Sequence, residues 1–216
     1  MRVLPFILLL VLAPVTAQEK PDAAVIYRMG RDLESRGRTD EANSYYNDAV
    51  RICDGEIQAG TATIDTYAVL TWTLQRQGNY ADVIRWGHQA LRIREDFRII
   101  ETMGEAYFYL KDLDASLKYM QRYTVNMPRG VDRLPTAFFF IGEIFRAQKK
   151  FHYADIAYST AVELEPAMAL WWYRLGQVRE SARDFTYAAE AFEQALKVKP
   201  TYNEAADALN RVRNAG

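Results

Sequence analysis

Residues 169–202 read ALWWYRLGQVRESARDFTYAAEAFEQALKVKPTY, and the spacing within them decides the fold. Trp172, Leu175, Gly176 and Arg179 stand three or four apart, which places them on one face of a helix. Ala188, Phe192 and Ala195 do the same on a second helix, and Arg183-Asp184 supplies the turn between the two. Gly176 and Ala188 are small where the paired helices approach most closely. Trp172 and Phe192 are large enough to fill the space beside them. Pro200 closes the unit.

The same register recurs along the chain. One period earlier stand Phe138, Ile141, Gly142, Phe145, Ala154, Tyr158, Ala161 and Pro166. A third copy carries Ile100, Met103, Gly104, Tyr107, Ser116, Met120, Tyr123 and Pro128, with Tyr123 large at a place that wants Ala. A fourth carries Tyr67, Leu70, Thr71, Leu74, Val83, Gly87 and Ala90. Its mid-helix Gly87 is expected to cost about 1 kcal/mol relative to Ala. The first copy carries Ile26, Met29, Gly30, Leu33, Ala42, Tyr46 and Ala49. This pattern resembles the tetratricopeptide repeat, a 34-residue helix-turn-helix that stacks into a superhelix. Arg179 departs from it, standing where the family has an aromatic residue.

The resemblance implies an all-α, right-handed α-solenoid of stacked helix-turn-helix units. The repeats are expected at 23–56, 64–96, 97–130, 135–168 and 169–202, with insertions at Ile57–Thr63 and Val131–Leu134. Pro135 suits the first turn of the helix it opens. Thr201 and Glu204 read as a capping box that starts a capping helix over 203–213, covering the last repeat.

Upstream, Met1 and Arg2 precede an apolar run from Val3 to Leu12, and Val15-Thr16-Ala17 offers small residues for cleavage. This is the outline of a secretory signal peptide over 1–17, followed by a polar leader over 18–22. The run is short of the roughly 20 apolar residues that a membrane span needs, so the alternative of an uncleaved anchor is disfavoured. Loss of Arg2 takes the net charge from -1 to -2. Export without disulfides fits a bacterial periplasm, and otherwise secretion. The single Cys53 reads as a small apolar residue rather than a reactive thiol.

The inventory for chemistry is thin. His88 and His152 are far apart with no Cys partner, which argues for solvated positions and against a metal site. No phosphate loop, nucleophile elbow or metalloprotease motif is present. Balanced charge gives no case for nucleic acid. The expectation is therefore a protein that is not an enzyme, with no catalytic residue, metal or cofactor.

Binding remains, and the resemblance implies a concave surface lined by the first helices of successive repeats. Read at the groove places, the chain offers Tyr27, Arg31, Trp72, Glu101, Glu105, Phe139, Glu143, Tyr173 and Gln177. Phe139 reads equally as an extension of the apolar run around Phe138, Phe140 and Ile141, and only one of Trp171 and Trp172 can face the core. The clamp with which co-chaperones of this family bind acidic tails is absent. Glu101, Glu105 and Glu143 would repel one another without a cation or partner, so the expected partner is a protein or peptide with basic and apolar residues. The competing expectation is a structural repeat protein that self-associates, as a homo-oligomer, or docks through its convex side. If export is correct, mass measurement of the protein from its native cells should give a chain beginning at Gln18. A full-length chain retained in the membrane fraction would defeat that reading.

Overall fold

The computed structural model describes residues 22–126 and 133–215, and the described residues form eleven helices and no strand. They are α1 (Ala23–Ser35), α2 (Thr39–Gln58), α3 (Ile64–Arg76), α4 (Tyr80–Ile93), α5 (Phe97–Tyr109) and α6 (Leu113–Asn126), then α7 (Leu134–Ala147), α8 (Phe151–Leu164), α9 (Ala169–Ser181), α10 (Phe185–Val198) and α11 (Asn203–Arg213). Each helix packs on the next in the chain. In addition α1 touches α3, α3 touches α5, and α5 touches α7, whereas no contact of that extent joins successive even-numbered helices. That asymmetry puts the odd-numbered helices on the inside of the curve. The protein is an all-α helical-repeat solenoid. The expected signal peptide lies outside the described residues, as do Pro128 and the first two residues of the expected insertion at Val131–Leu134, whose last residue already belongs to α7. No helix among the described residues is long and apolar enough to cross a membrane.

One contact recurs inside the helix pairs. A Cβ added to Gly30, Gly142 or Gly176 would lie 2.6, 2.6 or 2.5 Å from the ring of Tyr46, Tyr158 or Phe192. At Gly104 the nearest atom is the Met120 methyl, at 3.0 Å. The bare backbone of the first helix is therefore the seat for a large side chain of the second. The α3–α4 pair reverses the arrangement: Thr71 is buried on α3, and a Cβ added to Gly87 on α4 would lie 2.5 Å from the Met103 sulfur of the following repeat. The Gly87 backbone is thus not a loss of helix propensity without return. It admits a side chain from the neighbouring repeat.

Turn chemistry is equally regular. Gly37, Gly78, Lys111, Lys149 and Arg183 all have φ between 58° and 75°. Each is followed by a backbone N–H that bonds back to the carbonyl of Leu33, Leu74, Tyr107, Phe145 or Arg179, closing a Schellman turn. Arg179, in place of an aromatic residue, bonds Asp155 at 2.7 Å, Ser159 at 3.2 Å and the Tyr187 carbonyl at 3.3 Å, so it ties α9 to α8 and α10. Tyr123 is fully buried and shares a cluster with Ala137, a small residue where the other repeats present larger ones.

Three local expectations need correction. The α2 helix runs on through Gln58, so the insertion at Ile57–Thr63 is partly helix, and Cys53 is buried within α2. Burial, with Glu56 and Asp54 adding to it, pushes the Cys53 thiol up to about 12. No side chain caps α11, whose N-cap is Tyr202, because Thr201 stays in the preceding turn. Trp171 and Trp172 both pack: Trp171 is buried on Phe139, and the Trp172 indole donates to the Pro166 carbonyl at 2.9 Å.

The two ends of the solenoid differ. Ala205, Ala208, Leu209 and Val212 of α11 bury themselves against α10. At the other end Val25 and Met29 of α1 are 42% and 43% exposed, at the places where later repeats bury Ile99, Met103, Trp171 and Leu175 against a preceding helix.

Two substitutions test the packing. Gly142→Leu should cost about 3 kcal/mol or more by overpacking Tyr158. Gly87→Ala, which helix propensity alone would make stabilising by about 1 kcal/mol, should instead lower the melting temperature. Parent-like melting of Gly142→Leu, or a raised Tm for Gly87→Ala, would disprove the contacts described.

Candidate functional site

A cavity of about 400 Å³ opens on the inner face between α1, α3 and α5, reaching Arg133 at the start of α7. Tyr27 and Trp72 stack at 5.9 Å, and Arg31 lies over the Tyr27 ring at 5.9 Å. Tyr80 and Tyr109 stack at 4.7 Å on the rim. The α1, α3 and α5 helices present these side chains because places one turn apart on stacked parallel helices share a face.

Of the nine residues expected in the groove, the cavity gathers Tyr27, Arg31, Trp72, Glu101 and Glu105. Phe139, Glu143, Tyr173 and Gln177 lie further along, where the inner face is filled. Phe139 stacks on Trp171 at 5.2 Å, so the apolar-packing reading of Phe139 holds. Tyr173 packs on Phe192 and Tyr202 and accepts from the Gln177 amide at 3.0 Å. Sequence reasoning missed Arg76, Tyr80, Tyr109 and Arg133. Arg133 sits in the connection before α7, outside any repeated place, and no periodic signal could have found it.

The acidic residues correct the partner argument. Glu101, Glu105 and Glu143 are buried, at 4%, 5% and 7% exposure. Arg133 bonds Glu101 at 2.7 Å and also bonds Glu105, which accepts as well from the Gln75 amide. Glu143 accepts from the Tyr158 hydroxyl at 2.5 Å and from Arg146 at 2.7 Å, and Arg174 lies 3.1 Å away. The positive charge that these carboxylates need comes from the chain itself, so they give no reason to expect a basic partner. They also do structural work, since Arg133 ties α7 to α5. Burial, then the neighbouring Glu105, holds the Glu101 carboxyl well above the usual carboxylate range. Burial and the Glu143 carboxylate likewise raise the Tyr158 hydroxyl.

His88 and His152 are exposed, with His88 3.1 Å from the Tyr107 hydroxyl. Among the described residues no group of three or more His, Cys, Asp or Glu is placed to hold a metal ion.

Removing Arg133 should expose the cost of the buried acids. Arg133→Met leaves two carboxylates without their cation and should destabilise the fold by about 3 kcal/mol at pH 8. A carboxyl raised in the folded state favours the protonated form, so its contribution holds at low pH and is lost as pH rises through its folded value. The deficit of Arg133→Met should therefore shrink toward pH 5. Denaturant melts at both pH values check this, and a pH-independent deficit would contradict it.

A family model of the tetratricopeptide repeat matches residues 22–96, and a second matches residues 172–202. No curated protein matches the sequence. Among solved structures, the chain is similar to the APC/C hetero-tetramer Cut9–Hcn1 (TM-score 0.71, 17% identity), covering 88% of this chain and 36% of that one. It is also similar to the MamA RS-1 ArsTM double mutant (TM-score 0.66, 16% identity, 84% and 97% covered). A third likeness is to YrrB, a tetratricopeptide protein with an unusual peptide-binding site (TM-score 0.58, 19% identity, 87% and 91% covered). Identities this low carry the fold alone, yet the fold, the repeated small-against-large contact and the matched repeats agree. The chain belongs to the tetratricopeptide repeat family.

Proposed function

We propose that the chain is an exported interaction scaffold that holds a protein or extended peptide partner along its inner face, during assembly in the cell envelope or of a secretion system. The observation that carries the reading is the 400 Å³ cavity between α1, α3 and α5, open to solvent and walled by Trp72, Tyr80 and Tyr109. Such rings offer apolar area with a polar tip and lose little entropy on binding, as residues that dominate interfaces do. The likeness to YrrB, itself described as peptide-binding, supports the same class of ligand. Export rests on the charged, apolar and small order of residues 1–17, with a periplasmic location if the source is bacterial.

A second reading has its own observation. Tyr153 and Tyr187 hold the same place on α8 and α10, and with Ile156 they are more than half exposed, which suits docking or self-association through the convex side.

A photo-crosslinking residue at position 72 and, separately, at 153 separates the two. Capture of one and the same partner from position 72 supports the groove; capture only from position 153 supports the convex side. With that partner in hand, Trp72→Ala should weaken binding by about 2 kcal/mol, measured by calorimetry. The paired change Tyr153→Ser with Tyr187→Ser should leave the affinity unchanged.

A further inference from the structure

The charges around the cavity are layered. The acids lie beneath: the Glu101 and Glu105 side chains are 5% and 7% exposed, and Asp96 is 6% exposed. Above them stand guanidinium groups. Arg133 is 49% exposed over Glu101 and Glu105, and Arg98 covers Asp96 at 2.8 Å. Arg76 is 40% exposed and lies 3.5 Å from Glu34, which also accepts from the Tyr46 hydroxyl at 2.7 Å. Arg31 is exposed and forms no ion pair among the described residues. Two acids oppose this order from more open positions, and both are already engaged by arginine: Glu34, 36% exposed, by Arg76, and Asp65 by Arg98 at 2.7 Å.

A guanidinium carries five donors, so an arginine bonded to a buried carboxylate keeps donors for a second one. What a ligand meets first is therefore cationic, even though the total charge is close to balanced. Beside those arginines Tyr109 is 44% exposed and stacked on Tyr80, an aromatic platform within the same cavity.

We infer that the groove takes an extended internal peptide segment in which carboxylates alternate with aromatic or large apolar side chains. This rests on the reading of the inner face as the binding site. The cations come from α1, α3, α5 and the start of α7, so they are spread along the groove rather than gathered at one point, and no free chain end is required. A lysine-bearing segment would face Arg31, Arg76 and Arg133, with only Glu34 and Asp65, each already paired with an arginine, to receive it.

The test uses the purified protein and fluorescein-labelled peptides of about twelve residues, blocked at both ends, read by anisotropy at low and raised salt. One alternates Asp with Phe, one Lys with Phe, and one Asp with Ser. The Asp–Phe peptide should bind about tenfold more tightly than either of the others, and its affinity should fall with salt. Arg31→Gln, which removes no ion pair of the fold, should weaken it about fivefold and flatten the salt dependence, with Arg31→Lys recovering part of the loss. Equal or tighter binding of the Lys–Phe peptide, no binding of the Asp–Phe peptide, or indifference to Arg31→Gln overturns the ligand class. If the Lys–Phe peptide binds and Trp72→Ala abolishes that binding, the groove stands and only its chemistry was misread. If Tyr153→Ser with Tyr187→Ser abolishes peptide binding while Trp72→Ala does not, the groove reading falls as well.

Discussion

The structure depends on a side chain that is missing. Where Gly142 faces Tyr158, or Gly176 faces Phe192, the first helix has no Cβ and the ring of the second lies against bare backbone. Close approach there sets the distance between paired helices, and that distance sets what the next pair can pack against. The reversed pair at Thr71 and Gly87 shows that the volume matters more than the order. The space is still filled, but by Met103 from the neighbouring repeat. That contact joins two repeats, whereas the contacts at Gly30, Gly104, Gly142 and Gly176 each lie within one.

A second layer of order is electrostatic. Three acids on inner helices would be costly to bury alone, and arginines meet them: Arg133, ahead of α7, serves Glu101 and Glu105, while Arg146 on α7 and Arg174 on α9 serve Glu143. Removing one partner of such a cluster costs far more than the cluster contributes. The inner face is accordingly divided. The half built on α1, α3 and α5 stays open and keeps arginines toward solvent. The half built on α7 and α9 is closed by the Phe139–Trp171 stack and the Glu143 network.

The sequence made the fold legible because the fold is a matter of short-range spacing. Small residues such as Gly104 and Ala154 recur at fixed intervals, and no distant contact is needed to read them. The site was legible only where it shared that period. Tyr27, Arg31 and Trp72 fell in the cavity because their places repeat. The acids were placed correctly on the inner helices but misread in environment. Their counter-charge, Arg133, lies in an irregular connection, and nothing local links it to Glu101 thirty-two residues earlier. Gly87 was misjudged for a like reason, since the Met103 that justifies it belongs to the next repeat. At Thr201, a local motif lost to the turn that follows Pro200.

The unequal ends have a consequence for how the molecule comes apart. In a linear array each unit is held by its own contacts and by those with its neighbours, so an end unit has only one interface to lose. Among the described residues, one end is sealed by α11, while α1 leaves Val25 and Met29 more than 40% exposed. Opening should therefore be directional, starting at α1 and α2 and moving toward the sealed end. Amide protons of the first helix pair should exchange at a lower free-energy cost than those around Leu175 and Phe192. A solenoid with one finished end behaves less like a rod than like a zipper with a stop at its far end.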